Sequence, residues 1–168
     1  MYHEQLQTLA AYNGWANARL YEAASALGPE RFAQDRGVFF RSMGGTLNHL
    51  LAADRIWMRR FTGEGEAPAR LDAVLFETFE PLRAAREAED ARIEAYVASL
   101  TEARLAAPFR YTPITNPVEV SGRLGPALFH LFNHQTHHRG QAHAILTGFG
   151  LPAPGLDLIA FIRETGRD

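Results

Sequence analysis

Four long segments of the chain repeat apolar residues at three- and four-residue spacing, the pattern that gives a helix one apolar face. They cover residues 5–27, 42–61, 78–99 and 125–148 of a 168-residue sequence. Each helix must bury its apolar face, and four such faces are buried most simply against one another. The pattern therefore predicts an all-α fold, a four-helix bundle, as a single domain over residues 1–168.

Residues that begin and end helices stand at the boundaries of these segments. Ser42 and Thr78 precede the second and third segments as predicted N-caps, and Thr101 is placed to cap one further turn. Gly28-Pro29 ends the first segment. A connector follows it, in which three aromatic residues are expected to fill the core: Phe32, Phe39 and Phe40.

Two shorter elements complete the predicted fold. Residues 109–112 and 118–120 alternate in type and are separated by Pro113 and Pro117, which predicts a small β-hairpin before the last long helix. After that helix, a short C-terminal helix is predicted over residues 156–164.

Composition excludes several kinds of chemistry. There is no Cys, which excludes disulfides, thiolate metal sites and a Cys nucleophile. All 17 basic residues are Arg, so there is no Schiff-base or P-loop lysine. The balance of 17 basic against 19 acidic residues argues against binding nucleic acid through bulk charge. With no signal-peptide pattern and no membrane-length apolar run, a cytoplasmic protein without a membrane partner is expected.

Five of the seven histidines lie in the last long predicted helix. Two histidines four residues apart project from one helix face and can share one metal ion. At about 100° per residue, His138 lies within the buried arc of this helix and His134 on its shoulder. His130 is further round, and His137 points nearly opposite. His134 and His138 are therefore the better pair of metal ligands, and His137 and His143 are not expected to bind metal.

The third ligand remains open at this point. His49 is the only other histidine well inside a predicted helix, but it lies beside the centre of that helix's apolar arc, so spacing alone does not select it. The competing interpretation is a histidine-rich helix whose imidazoles are hydrogen-bonded or solvated. No Glu-x-x-His pattern appears, which argues against a di-iron carboxylate site.

Three charged residues have two interpretations each. Arg139, next to His138, is expected either to contact an anionic substrate or to bridge to a carboxylate on another helix. Asp54 and Arg55 are expected to form solvated or inter-helix ion pairs rather than to take part in catalysis.

Three stretches of the chain together resemble one known family. Residues 12–20, 42–54 and 133–141 resemble the first, second and last helix motifs of the DinB/YfiT-like proteins. The third stretch, Asn-His-Gln-Thr-His-His-Arg-Gly-Gln, resembles the most characteristic motif of that family. Order and spacing agree from about residue 5 to residue 149, and three linked motifs are far more specific than one histidine pair.

The resemblance implies a bundle of up-down-down-up order and a divalent metal ion held by His49, His134 and His138. It also implies a homodimer. Some proteins of this kind transfer low-molecular-weight thiols, which makes a metal-dependent thiol transferase acting on a small electrophile the leading hypothesis. The alternatives are metal-assisted hydrolysis without a thiol and a non-catalytic, stress-associated metal-binding protein. Imidazole ligands suit zinc, nickel, iron and manganese alike, so the sequence does not identify the metal.

Overall fold

A computed structural model describes residues 2–167. The fold is mostly helical with one small antiparallel sheet, as expected. In chain order the elements are α1 (Tyr2–Ala24), α2 (Gly28–Ala33), α3 (Met43–Thr62), α4 (Phe79–Ser99), α5 (Glu102–Ala106), β1 (Pro108–Tyr111), β2 (Val120–Arg123), α6 (Leu124–Gly148) and α7 (Leu158–Thr165).

The four predicted long helices correspond to α1, α3, α4 and α6. Helices α1 and α3 each pack against both α4 and α6. Their apolar faces form two large clusters, one around Phe61 and Leu128 and the other around Leu47 and Leu146. None of the helices within residues 2–167 combines the length and apolarity that crossing a bilayer requires.

A layer of buried polar side chains connects the four long helices, and we call it the polar layer. Asp54 of α3 forms an ion pair with Arg86 of α4 at 2.7 Å, which is the inter-helix pairing expected of Asp54. Arg86 also pairs with Asp90 at 3.0 Å. The remaining members come from α1 and α6: Asn13, Asn17, Gln135 and Arg139.

Two of the three predicted helix caps form with their side chains. The Ser42 hydroxyl accepts a hydrogen bond from the Gly45 amide at 3.0 Å, and the Thr101 hydroxyl accepts one from the Arg104 amide at 3.2 Å. Thr78 occupies the N-cap position of α4 without a side-chain bond.

The connector after α1 differs from the prediction. Pro29 lies in the first turn of the short helix α2 rather than only ending the previous one, because the fixed φ of proline suits a helix start. Phe32 is buried as predicted, whereas Phe39 is 81% exposed and is not a core residue. Phe40 is half-buried and packs against a histidine.

The hairpin forms with a shifted second strand. Phe109 pairs with Gly122 and Tyr111 with Val120, so β2 begins where the predicted strand was expected to end. Pro117 has no amide hydrogen to give to a ladder, and β2 instead continues directly into α6. The last helix starts at Leu158, two residues later than predicted.

Candidate metal centre

Three histidine side chains converge between α3 and α6. The Nε2 atom of His49 lies 3.3 Å from Nε2 of His134 and 3.2 Å from Nε2 of His138. Among the described residues, this is the set of three potential metal-ligating side chains whose ligand atoms all lie within 4.8 Å of one another.

Helix geometry explains how two helices bring three imidazoles together. His134 and His138 are one turn apart and share a face of α6, as their spacing predicts. α3 packs against this face, and a hydrogen bond of 3.0 Å from the Gln135 side chain to the Leu50 carbonyl holds the two helices together beside the cluster. His49, adjacent to Leu50, is thereby placed opposite the pair.

Hydrogen bonds on the outer nitrogens decide which ring atoms face the centre. The Nδ1 atom of His49 lies 2.7 Å from the Leu71 carbonyl, which can only accept, so Nδ1 carries the proton of the neutral ring. The Nδ1 atom of His138 lies 2.7 Å from Oε1 of Gln141 and carries its proton in the same way. The two facing Nε2 atoms of His49 and His138 are then both acceptors, with no hydrogen between them.

Two acceptors facing each other at 3.2 Å repel unless a cation lies between or beside them. Bound histidines in metal sites usually donate their other N–H to a carbonyl or carboxyl group, which fixes the tautomer. His49 and His138 have this arrangement. The residues present therefore fit a metal ion. His134 differs, because its buried Nδ1 has no hydrogen-bond partner among the described residues.

Burial also keeps these imidazoles unprotonated. Desolvation, with a smaller contribution from neighbouring His138, lowers the pKa of His49 from 6.5 to about 4. Desolvation and the surrounding histidines lower the pKa of His134 from 6.5 to about 3. The pKa of His138 is lowered as well, chiefly by burial. Protons therefore do not compete with a metal ion for these nitrogens at neutral pH.

A segment that returns along α3 positions His49. After α3 ends, residues 63–78 lead back to its N-terminal part, where the Asn48 side chain binds them. Its Oδ1 accepts hydrogen bonds from the amides of Leu75 at 2.8 Å and Phe76 at 3.0 Å. The same segment carries the Leu71 carbonyl that binds His49. We call residues 63–78 the return segment.

Phe40 covers His49 on another side. The two rings are stacked, with centroids 3.7 Å apart and planes inclined by 15°. Sequence reasoning identified Phe40 as a core residue and missed its contact with the site. Gln141 was also missed, although its position three residues after His138 on the same helix was an available signal.

The other histidines of α6 lie outside the cluster. His130 is exposed, with its ring 5.2 Å from the ring of Trp57. His137 is exposed and contacts the edge of His138. His143 is half-buried further along the helix.

Arg139 lies in the polar layer and is only 2% exposed. Its guanidinium donates to the side-chain oxygens of Asn13 and Asn17, and the amides of these two residues donate to Asp90. Arg139 is thus connected to the Asp90 carboxylate through the side-chain amides of Asn13 and Asn17 and does not pair with it directly. Contact of Arg139 with a substrate stays a prediction.

Fold and site together define a helical protein with three histidines gathered from two helices. The DinB family model matches residues 1–168, and the chain belongs to the DinB family.

Two relatives agree with this assignment. The chain is 27% identical over 167 residues to Protein DinB of Bacillus subtilis (strain 168), with 94% of each protein covered. A crystal structure of a DinB-like protein from Bacillus cereus ATCC 10987 superposes with a TM-score of 0.64 at 19% identity. That likeness covers 83% of this chain and 89% of the other, and at this identity it shows a shared fold.

Proposed function

We propose that the protein is a metal-dependent enzyme that transfers a low-molecular-weight thiol to a small electrophile. His49, His134 and His138 would hold a divalent ion. The observation that carries the proposal is the convergence of three Nε2 atoms, two of which are left as acceptors because their rings donate outwards from Nδ1.

The number of protein ligands supports a reactive centre. Structural zinc sites are closed by four protein ligands, whereas catalytic sites use three and leave a position for water or substrate. When bound, a divalent ion supplies a Lewis acid that lowers the pKa of a thiol or water held against it. Zinc, nickel, iron and manganese all suit imidazole ligands.

The chain's own residues orient and shield this centre. The Leu71 carbonyl and Gln141 hold the rings of His49 and His138 in one tautomer. Phe40 excludes water from one face of His49. In the transfer, the thiol loses its proton and its sulfur forms a bond to the electrophilic carbon. The leaving group departs with the electrons of its bond to that carbon, and the proton passes to it or to water.

We also propose that the four long helices form a bundle of up-down-down-up order. Contacts between corresponding ends of two helices support a parallel arrangement of those helices. Phe61 of α3 stacks on Tyr96 of α4, and both residues lie near the C-terminal ends of their helices. The N-terminal residue Tyr2 of α1 likewise contacts Phe129 near the start of α6. Opposite ends meet between α1 and α4, where the His3 ring lies 2.8 Å from the Val97 carbonyl.

The reaction is tested by following loss of free thiol in the presence of a panel of small electrophiles. Protein purified without a His tag is compared before and after removal of metal. Consumption of thiol and electrophile in equal amounts, by the metal-loaded protein alone, is expected. His137→Ala is the matched control, since His137 shares α6 with two of the ligands and lies outside the cluster.

Other outcomes distinguish the remaining hypotheses. Electrophile turnover without thiol loss would replace thiol transfer by metal-assisted hydrolysis. Stoichiometric metal without turnover of any electrophile would favour a non-catalytic role. The homodimer implied by the family resemblance stays a prediction. Sedimentation of the purified protein measures its oligomeric state and tests that prediction.

A further inference from the structure

A cleft of about 500 Å³ opens next to Phe40, the residue whose ring stacks on His49. It lies between the residues that precede α3, the first turns of α3 and the end of the return segment. Its walls are largely aromatic or aliphatic: Phe32, Phe39, Phe40, Val74 and Phe76.

Two of the apolar side chains that line the cleft are largely exposed to solvent. Phe39 is 81% exposed and Val74 is 63% exposed. Single exposed apolar residues are ordinary, but apolar side chains grouped around one concavity indicate a binding surface. The Phe39 ring also packs edge-on against the Phe40 ring, with centroids 4.9 Å apart, at the edge of the cleft.

The polar groups around the cleft are already used by the protein. Asn48 donates to the carbonyls of Gly44 and Phe76, and its oxygen accepts from the return segment. The Ser42 hydroxyl accepts from the Gly45 amide at the start of α3. Asn48 has little hydrogen-bonding capacity left for a ligand and Ser42 keeps only its hydroxyl hydrogen, which leaves the apolar walls as the main means of recognition.

The charges at the rim disfavour an anion. Asp35 is paired with Arg41 at 2.9 Å, and Asp72 is paired with Arg70 at 2.7 Å. The Glu77 side chain makes no hydrogen bond or ion pair with another residue in the described range and adds a negative charge to the cleft lining. A ligand that brings no negative charge of its own therefore fits best.

Phe40 is the wall that the cleft shares with the candidate metal centre, and the backbone holds it there. Its carbonyl lies where a side chain on residue 45 would be, so only glycine allows this close approach. The next residue, Arg41, has a φ of 70°, the left-handed conformation that non-glycine residues seldom adopt. The Phe40 ring is thereby fixed against His49.

We propose that this cleft binds a small aromatic molecule that carries no negative charge, with Phe40 between that molecule and His49. A molecule held there lies next to the candidate metal centre and is separated from it by the Phe40 ring. The proposal does not rest on the proposed function, because binding in the cleft requires no metal.

Binding is measured with metal-free protein and N-phenylnaphthylamine, an uncharged dye that fluoresces in apolar surroundings. Saturable binding is expected. Val74→Asp should weaken it about tenfold, since it removes one apolar wall and adds a charge. Val118→Asp is the matched control, because Val118 is also 63% exposed but lies on the hairpin, away from the cleft. Phe39→Ser should weaken binding in the same direction.

The dye's sulfonated counterpart, anilinonaphthalene sulfonate, tests the charge requirement and should bind more weakly than the uncharged dye. Equal dye affinity in wild type, Val74→Asp and Phe39→Ser, or an equal loss in Val118→Asp, would overturn the site. Tighter binding of the sulfonate would overturn the ligand class. A protein that binds the dye but no metal would disprove the proposed function and leave the cleft standing.

Discussion

The polar layer joins all four long helices and the histidine cluster joins only α3 and α6, and the two groups of polar side chains are assembled by opposite rules. In the polar layer donors meet acceptors, as Arg86 does between Asp54 and Asp90. In the cluster, the Nε2 atoms of His49 and His138 face each other as two acceptors. A layer in which donors meet acceptors is stable without a ligand, whereas two facing acceptors would be stabilised by a cation. The first therefore supports the fold, and the second fits a metal ion.

Removing one ligand is the strongest test of this contrast. His49→Ala should abolish stoichiometric metal, because the two histidines on α6 lie on one side of the ion and need a partner from a facing helix. His134→Ala and His138→Ala should do the same. Metal analysis of protein purified without a tag measures this directly. His130→Ala and His137→Ala should keep the metal, and loss of metal in these two variants with retention in His49→Ala would reverse the assignment.

Breaking the polar layer should instead affect stability. Arg86→Leu leaves Asp54 and Asp90 as buried charges without their cation and should lower the free energy of unfolding by about 3–5 kcal/mol. Denaturant titration followed by circular dichroism measures the loss. Arg83→Leu is the control on the same helix, because its ion pairs are more exposed and should cost at most about 1 kcal/mol. If Arg86→Leu folds with wild-type stability, the layer does not support the fold.

The residue that orients His138 should have a smaller effect than a ligand. Gln141→Leu removes the acceptor for Nδ1 and should weaken metal affinity about 10–100-fold, measured by competition with a chelator. Gln141→Glu restores an acceptor oxygen and should restore the affinity. Unchanged affinity in Gln141→Leu would show that the tautomer of His138 is fixed by another group.

Acid should destabilise the metal-free protein gradually. The pKa values of His49 and His134 are about 4 and about 3 in the folded protein, below the ordinary value of about 6.5 that unfolded histidines have. Between these pKa values the unfolded chain binds more protons than the folded protein. The contribution of the two neutral imidazoles to stability is therefore present in full above pH 6.5 and is lost as the pH falls towards their pKa values in the folded protein. Denaturant titrations across this window give the free energy of unfolding at each pH. This free energy should fall less steeply with decreasing pH in His134→Gln than in wild type. Equal slopes would mean that His134 takes up protons in the folded state as readily as in the unfolded state.

Local patterns predicted the parts of the molecule that depend on local geometry. The long helices followed from apolar spacing, and the pairing of His134 with His138 followed from their separation by one turn. Ser42 and Thr101 were recognisable as caps for the same reason.

Contacts between distant segments were not predictable from spacing. His49 meets the other histidines only because α3 packs on α6, and the spacing around His49 does not indicate that; only the family resemblance of residues 42–54 implied it. The two adjacent aromatic residues Phe39 and Phe40 look alike in sequence, but the turn before α3 places one in solvent and the other on His49. The route from Arg139 to Asp90 depends on two asparagines more than a hundred residues earlier in the chain than Arg139.

The backbone of the return segment should respond to metal binding at the candidate centre, because the segment is bound to a residue of that centre. Adjacent residues of α3 hold it, Asn48 at the amides of Leu75 and Phe76 and His49 at the Leu71 carbonyl. An imidazole fixed by an ion cannot swing away, so the segment loses one route by which it opens. Metal loading should therefore slow hydrogen–deuterium exchange at the amides of Leu75 and Phe76, which lie beyond the reach of any ligand bond. Occupancy of the centre would then be readable from protein backbone that never touches the metal.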